Sequence, residues 1–401
     1  MRHRHGPAQD HDLRRRGAPV RPGRGNAALS PPAGGSHGRD RNGAGRHRGG
    51  GDRRREPAGR RGERVRLGGR GTDHGIPAER LPADGLAELH PGDHHRQHHR
   101  VGRGTGSGAR EEGCVNAVQI VDSHVHFWDP RERDYPWLRS VPALDRAFLP
   151  SDYAAATDGI AITQIVFVES NCLPEEAREE VQFVERLVSV EPRIAAIVAF
   201  ADLTQGLRAG GSGPEQTLDA LLSSPRVKGI RQNIQGQPPG FALQPAFVEG
   251  VRAVGRRGLT FDLCVTHDQL REVTDLVRRC ADTRFVLDHC AKPAIRQRRL
   301  EPWRADIACL AAQENVCCKL SALFTEAAPE RRREEDLLPY AASVVEFFGT
   351  ERVLYGSDWP VLTLGGRYGD WHGFADRFTA AWTPTERRRF YADNAIRAYR
   401  L

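Results

Sequence analysis

The run Ile194-Ala195-Ala196-Ile197-Val198-Ala199-Phe200 contains seven consecutive residues without a polar or charged side chain. A strand with one solvated face alternates apolar and polar residues. A continuous apolar run therefore predicts a strand buried on both faces, as in a parallel sheet covered by helices. Short apolar runs recur at intervals of about 33 residues, which is room for one strand, one helix and two loops. They begin near Val121, Gln164, Ile194, Val227, Thr260, Phe285, Val316 and Val353.

Amphipathic segments lie between these runs. The clearest are 174–191, 268–281 and 384–399, and each carries apolar residues on one helical face. Asp268 is the expected N-cap of the second. Eight strand–helix units in residues 116–401 predict an α/β fold, a (β/α)8 TIM barrel, for which about 250 residues are typical. A doubly wound open sheet is the alternative fold, but it favours a Gly-rich turn after its first strand, and the sequence has no such turn.

The composition changes near residue 115. Residues 1–115 contain 24 arginines, 25 glycines and 11 histidines, but no Phe, Trp or Tyr. Because this segment lacks the apolar surface that offsets ordering entropy, we expect 1–115 to be a disordered basic segment and 116–401 to form the barrel. A segment translated upstream of the true start, an inert tail and a polyanion-binding arm all fit this composition. No apolar run approaches the roughly 20 residues that cross a bilayer, so no membrane span is expected.

The cysteines point to a reducing compartment. There are eight, none forms a C-x-x-C pair, and most lie within apolar runs. We therefore expect free thiols packed as small hydrophobic residues, and a cytoplasmic protein.

Four of the five histidines in residues 116–401 lie where a predicted strand ends, and the carboxyl-terminal rim is where barrel enzymes place catalytic residues. They are His124, His126, His267 and His289, and Asp358 follows the eighth strand after a Gly-Ser bend. His124 and His126 are two residues apart, so both imidazoles point to the same face of the strand. Two hydrogen-bonded core histidines are the alternative for this pair. Three or four histidines with one carboxylate match a catalytic zinc site that leaves one position for water, and Mn²⁺ or Fe²⁺ also accepts such ligands.

Five motifs extend this pattern along the barrel. They are Asp122-Ser123-His124-Val125-His126-Phe127-Trp128-Asp129, Tyr135-Pro136-Trp137-Leu138, Val227-Lys228-Gly229-Ile230-Arg231-Gln232, Leu287-Asp288-His289-Cys290-Ala291-Lys292-Pro293 and Tyr355-Gly356-Ser357-Asp358-Trp359-Pro360. As a set, in this order, they resemble the amidohydrolase superfamily, and within it the amidohydrolase-2 branch of barrel hydrolases that act on sugar lactones and related ring esters. The resemblance runs from about residue 119 to residue 401. It implies a hydrolase whose partner is a small lactone or acidic ring compound.

The resemblance also implies a ligand set. His124, His126 and Asp358 would bind one divalent metal ion, expected to be zinc, together with one later histidine. In related decarboxylase-like members the strand-five histidine binds the metal and the strand-six histidine transfers protons. This assigns His267 to the metal and His289 to catalysis, although the two roles could be exchanged.

The end of strand four departs from the superfamily members that bind two metals. Those members carry a carboxylated lysine there, whereas this chain has Arg231 and Gln232, with Lys228 three residues earlier. The departure predicts a single metal ion, and some members of this branch are thought to work without any metal.

Lactone hydrolysis needs an activated water, a stabilised oxyanion and a proton for the leaving alkoxide. Asp358 would accept the water proton and later return it, and His289 would hydrogen-bond the oxyanion. Arg231 would bind an acidic or polyhydroxylated substrate with its planar fork. An arginine in a salt-bridge layer between strands is the alternative for Arg231.

Other residues at the rim are candidates to line the pocket. Gln232 lies beside Arg231 in sequence. Trp359 could form an apolar wall of the substrate site, and packing under the rim loops is the alternative for it. Glu169, after the second strand, and Lys319, on the seventh, could reach the same pocket.

Two other functions are compatible with the sequence. A non-oxidative decarboxylase on the same barrel would use the same histidines and carboxylate and would release CO₂. A polyanion-binding protein would use the basic segment 1–115. That interpretation leaves the residues at the strand ends unexplained, so a nucleic-acid partner is not expected.

Overall fold

Eight parallel strands form one sheet in the part of the chain that the computed structural model describes, which is residues 119–204 and 213–401. Each strand pairs with the next along the chain. They are β1 (Ile120–Val125), β2 (Ile162–Val168), β3 (Ile194–Phe200), β4 (Val227–Arg231), β5 (Thr260–Leu263), β6 (Arg284–Leu287), β7 (Val316–Leu320) and β8 (Val353–Tyr355). All eight begin within two residues of the predicted positions. The predictions for 1–115, including disorder and a polyanion-binding arm, lie outside the described residues.

The sheet closes between its first and last strands. Val125 forms a parallel bridge to Trp359, just past β8, and His126 N–H donates to Trp359 O at 2.8 Å. Asp358 N–H donates to His124 O at 2.9 Å along the same contact. We call residues 123–126 and 355–359 the β1–β8 seam. Closure confirms the (β/α)8 TIM barrel and excludes the open doubly wound sheet.

Helices follow the strands and, except for α11, surround the barrel. They are α1 (Pro150–Ala156), α2 (Ala177–Leu187), α3 (Pro214–Leu221), α4 (Pro245–Arg256), α5 (Leu270–Arg279), α6 (Trp303–Ala311), α7 (Leu323–Glu326), α8 (Glu334–Phe348), α9 (Tyr368–Phe378), α10 (Pro384–Arg388) and α11 (Asn394–Tyr399). A π-helical segment, Arg389–Asp393, joins α10 to α11. Across 119–204 and 213–401, no helix combines the length and the apolar character needed to cross a membrane.

The start of the helix predicted over 268–281 differs from expectation. It opens with the 3-10 turn His267–Gln269, and α5 follows. The capping residue is Thr266 rather than Asp268, because Thr266 N–H donates to Gln269 Oε1 at 3.1 Å. The chain leaves β5 before the predicted N-cap, so the cap lies two residues earlier.

The apolar core has an outer and an inner layer. Phe261 and Trp303 belong to the outer layer, between the strands and the helices. The inner layer joins apolar strand residues to the π-helical segment and α11: Val121, Val166, Val168, Ala196, Val198, Val286 and Leu354 pack with Ala392, Ala395, Ala398 and Tyr399. The last helix therefore fills the amino-terminal end of the barrel, and polar side chains occupy the carboxyl-terminal end, where barrel enzymes build their sites.

Candidate active site

His124, His126 and Asp358 meet at the β1–β8 seam. His124 Nε2 lies 3.1 Å from His126 Nε2. Asp358 Oδ1 lies 3.6 Å from the first nitrogen and 3.3 Å from the second. All three side chains are buried. The structure thus brings together, in what we call the ligand triangle, the two histidines and the carboxylate that the sequence predicts as metal ligands.

The ligand triangle fits one divalent metal ion. A tetrahedral zinc with bonds of about 2.0–2.2 Å needs ligand atoms about 3.3–3.6 Å apart, and the observed edges span 3.1 to 3.6 Å. His126 Nδ1 lies 2.8 Å from the carbonyl oxygen of Val168. Because a carbonyl only accepts, Nδ1 carries the proton and Nε2 keeps its lone pair for a cation.

The β1–β8 seam is tight because Gly356 has no side chain. A Cβ at Gly356 would lie 3.2 Å from His124 Cβ and 3.2 Å from Ser123 Oγ, closer than ordinary contact. Ser357 N–H then donates to Asp122 Oδ1 at 2.9 Å, and Asp358 adopts a left-handed backbone with φ of 62°. The Gly-Ser bend is therefore the local feature that directs Asp358 at both histidines.

His289 approaches the same carboxylate from the end of β6. Its Nε2 lies 3.8 Å from Asp358 Oδ1, and its Nδ1 lies 2.9 Å from Ser321 Oγ. Burial lowers the pKa of His289 to about 4, so the ring is neutral at pH 7. When the Ser321 hydroxyl donates to Nδ1, Nε2 carries the proton and can donate it to a substrate oxygen.

His289 lies in a left-handed turn. Residues 289–292 have φ between 47° and 59°, although none is glycine. Such a backbone costs about 1–2 kcal/mol per residue and persists where the surrounding structure holds it. Trp303 Nε1–H donates to Cys290 O at 2.8 Å, and the Cys290 thiol donates to Lys319 O at 3.3 Å. These buried bonds hold the turn that carries His289.

Lys319 holds His124 from its other edge. Its Nζ lies 3.1 Å from His124 Nδ1, 2.7 Å from Asp262 Oδ2 and 2.9 Å from Asp288 Oδ1, and all four side chains are fully buried. Burial alone lowers the pKa of Lys319, but Asp262 and Asp288 outweigh it, so the pKa is raised. Burial alone raises the pKa of Asp288, but Lys319 and His124 hold it well below its usual range. Lys319 and Asp288 are therefore a buried ion pair beside the ligand triangle.

The sequence analysis did not assign Asp262 and Asp288 to the site. Asp262 lies within the apolar strand β5, and Asp288 directly follows the apolar strand β6. The sequence feature that could have identified both residues is a single carboxylate within or directly after an apolar run. A charge that is buried in this way requires a partner. Lys319, which the sequence suggested as a residue near the site, is that partner.

Arg231 lies in a salt-bridge layer, which was the alternative to its predicted part in substrate binding. Nε donates to Glu169 Oε1 at 2.6 Å, Nη2 to Glu169 O at 2.5 Å, and Nη1 to Asp288 Oδ2 at 3.3 Å. The side chain is buried. Three of the five N–H donors of the guanidinium are thus used within the protein, and contact of Arg231 with substrate stays a prediction.

Gln232 and Trp359 are also engaged by the protein. Gln232 Oε1 accepts from a backbone N–H of the loop after β3 at 2.8 Å. The ring of Trp359 is buried against Phe127, Phe148 and Tyr153, with centroids 5.2 to 5.9 Å apart. These contacts give both residues a structural function, and their contact with substrate stays a prediction.

His267 is not brought to the ligand triangle. β5 ends at Leu263, earlier than the strand predicted from the sequence, so His267 falls in the first turn of the following helical segment. Among the described residues, the clusters of potential metal-binding atoms contain His289 but not His267. His289 is therefore the third histidine beside Asp358.

Comparison with known proteins identifies relatives of the region that forms the barrel. Residues 121–401 match the family described as Amidohydrolase. An L-fucono-1,5-lactonase from Burkholderia ambifaria is 32% identical over 293 residues, which cover 70% of this chain and 95% of that protein. A crystal structure of an amidohydrolase from Burkholderia multivorans with bound zinc is 30% identical, has a TM-score of 0.63, and aligns with 71% of this chain and 99% of that one. An L-rhamnono-gamma-lactonase from Scheffersomyces stipitis is 23% identical over 266 residues, covering 58% of this chain and 75% of that protein.

Proposed function

This chain belongs to the amidohydrolase family and is a hydrolase, and on that premise we propose that it opens the ring of a sugar-acid lactone with water. The observation that carries the proposal is the ligand triangle, which lies at the carboxyl-terminal end of the barrel beside His289. It occurs in a chain 32% identical to a protein named L-fucono-1,5-lactonase.

One divalent ion would be held by His124, His126 and Asp358. Zinc is the first candidate, because two imidazole nitrogens and a carboxylate suit it and because the related Burkholderia multivorans structure contains zinc. When bound, such an ion lowers the pKa of water and polarises an acyl oxygen.

The side chains supply the proton transfers. Asp358 accepts a proton from the attacking water as the bond forms between water oxygen and acyl carbon, and it returns that proton to the ring oxygen as the ring bond breaks. Neutral His289 donates from Nε2 to the acyl oxygen, where negative charge develops. Ser321 positions His289 for this by its contact with Nδ1 at 2.9 Å.

The cysteines support the cytoplasm as the location. The seven cysteines in the described residues are free thiols, and free thiols persist in a reducing compartment.

The test is acid release from a panel of sugar 1,5- and 1,4-lactones that includes L-fucono-1,5-lactone, followed with a pH indicator. We expect turnover that falls after dialysis against a chelator and returns with zinc, with metal content measured by mass spectrometry. A parallel assay for CO₂ from hydroxylated ring acids tests the decarboxylase alternative. CO₂ release without acid release from any lactone would replace the proposed function.

A further inference from the structure

Lysine is rare in this chain. The 59 basic residues include only three lysines, Lys228, Lys292 and Lys319, and all the others are arginines. Lysine offers a compact ammonium on a flexible stem, whereas arginine offers a wide planar fork. Lys292 and Lys319 lie at neighbouring positions of the barrel, just after β6 and in β7. Because nearly all other basic residues of the chain are arginines, lysine at these two positions indicates a confined space that suits a compact ammonium better than a planar guanidinium.

The cationic side chains around the ligand triangle differ in how many hydrogen bonds and ion pairs they already make within the protein. Arg231 donates from all three nitrogens to Glu169 and Asp288, and Lys319 is fully buried between Asp262 and Asp288. Lys292 is only half-buried. Within residues 119–204 and 213–401, its ammonium has neither a hydrogen bond nor an ion pair.

The left-handed turn that carries His289 also positions Lys292. Lys292 is the last of its four residues, with φ of 47°, and its backbone N–H donates to His289 O at 2.8 Å. This backbone hydrogen bond holds Lys292 in the same short segment that carries His289.

Groups from three other parts of the barrel act electrostatically on Lys292. Burial alone would lower the pKa of Lys292, but Cys264, Glu326 and Asp358 outweigh it, so the pKa is raised. These groups follow β5, end α7 and follow β8. The ammonium is thus charged, and the Asp358 carboxylate of the ligand triangle is among the groups that attract it.

We propose that Lys292 is the cationic group that binds the substrate, donating hydrogen bonds to the oxygens of the lactone acyl group and of the carboxylate formed from it. This inference rests on the proposed function and assigns to Lys292 the substrate contact predicted for Arg231. A half-buried ammonium that has no hydrogen bond or ion pair among the described residues suits an acyl oxygen, which is neutral in the lactone and anionic in the product.

Kinetics of Lys292→Met, Lys292→Arg and the matched control Lys228→Met test the assignment. Lys228 is also half-buried but lies near the amino-terminal end of β4. Lys292→Met removes a hydrogen bond donated by a charged group. We therefore expect it to raise KM for L-fucono-1,5-lactone and the inhibition constant of L-fuconate about 10- to 100-fold. We expect kcat of Lys292→Met to change less than KM. Lys292→Arg should have KM and inhibition constants between those of the wild type and Lys292→Met, and Lys228→Met should match the wild type. Values for Lys292→Met within about twofold of wild type would overturn the proposal.

Chemical labelling of the wild-type protein gives a readout that does not depend on folding of a variant. An N-hydroxysuccinimide ester of acetate modifies accessible lysines, and mass spectrometry can follow each of the three separately. We expect saturating L-fuconate to protect Lys292 but not Lys228. Equal acetylation of Lys292 with and without L-fuconate would overturn the proposal. If the wild type hydrolyses no lactone, the proposed function fails; if it does and Lys292 is neither protected nor needed, only this inference fails.

Discussion

His124 uses both edges of its imidazole. Nε2 faces His126 and Asp358 in the ligand triangle, and Nδ1 faces Lys319 and Asp288. A change in the buried ion pair therefore alters the orientation of a candidate metal ligand directly.

Replacing Lys319 with Met tests this coupling. The substitution leaves Asp262 and Asp288 buried without their ammonium, so we expect a loss of about 3–5 kcal/mol in the free energy of unfolding and a weaker affinity for zinc. Urea unfolding and a competitive zinc-chelator titration measure the two effects. Lys228→Met is the control, and a loss below about 1 kcal/mol would show that the buried pair contributes little to stability.

Replacing Asp358 with Asn tests the proton transfer. The amide keeps the size and one acceptor oxygen but not the charge, so we expect kcat to fall about 10²- to 10⁴-fold while the protein stays folded. Asp275→Asn, which removes an exposed carboxylate on α5, should have no effect. If Asp358→Asn keeps kcat within about threefold of wild type, Asp358 is structural and the proton transfer passes to His289.

The sequence could predict single residues where a local rule applied. His124 and His126 followed from the two-residue period of a strand, and Asp358 from its place after the eighth strand. His267 was misplaced because Val265 and Thr266 continue the β-branched pattern although the chain turns after Leu263. The ion pair of Arg231 is with Glu169, 62 residues earlier in the chain. Local sequence patterns carry no information about such a distant partner.

At the scale of elements, α2 carries a buried carboxylate. Glu180 accepts from Ser170 N–H at 3.0 Å. Burial and the nearby carboxylate of Glu169 raise the pKa of Glu180 to about 8. In the unfolded chain its pKa is near 4.5, so the folded protein binds the extra proton between about pH 4.5 and pH 8.

Glu180→Gln should therefore change how stability depends on pH. In the wild type, the contribution of Glu180 is present below about pH 4.5 and is lost as pH rises towards 8, with a slope of up to about 1.4 kcal/mol per pH unit. We expect the glutamine variant to lack this part of the slope in urea unfolding at pH 5, 6, 7 and 8. Glu179→Gln, exposed on the same helix, is the control. An unchanged slope in Glu180→Gln would mean that Glu180 is ionised in the folded protein.

Element order was predictable and element ends were not. The strand starts were marked by apolar runs, whereas the predicted helix 384–399 is in fact α10, a π-helical segment and α11. Its amino-terminal end follows a local rule, because Glu386 N–H donates to Thr383 Oγ1. Its interior is π-helical where Phe390 and Tyr391 pack into the core, and sequence periodicity does not reveal that contact.

At the scale of the whole molecule, the barrel closes within residues 119–401. We therefore expect a protein that starts at residue 116 to keep the melting temperature and the kcat of the full chain. Calorimetry and the lactone assay on both proteins check this. A melting temperature several degrees lower in the shorter protein would show that 1–115 packs against the barrel.

The β1–β8 seam has a further consequence, for fragments of the protein. His124 and His126 come from the first strand and Asp358 from beyond the last, so a backbone break in the exposed loop 236–240 puts the histidines and the carboxylate on separate polypeptides. Neither piece could bind the ion or turn over a lactone alone. Mixed together, they should regain activity with second-order kinetics, which would make the barrel a split reporter whose signal measures the association of its two halves.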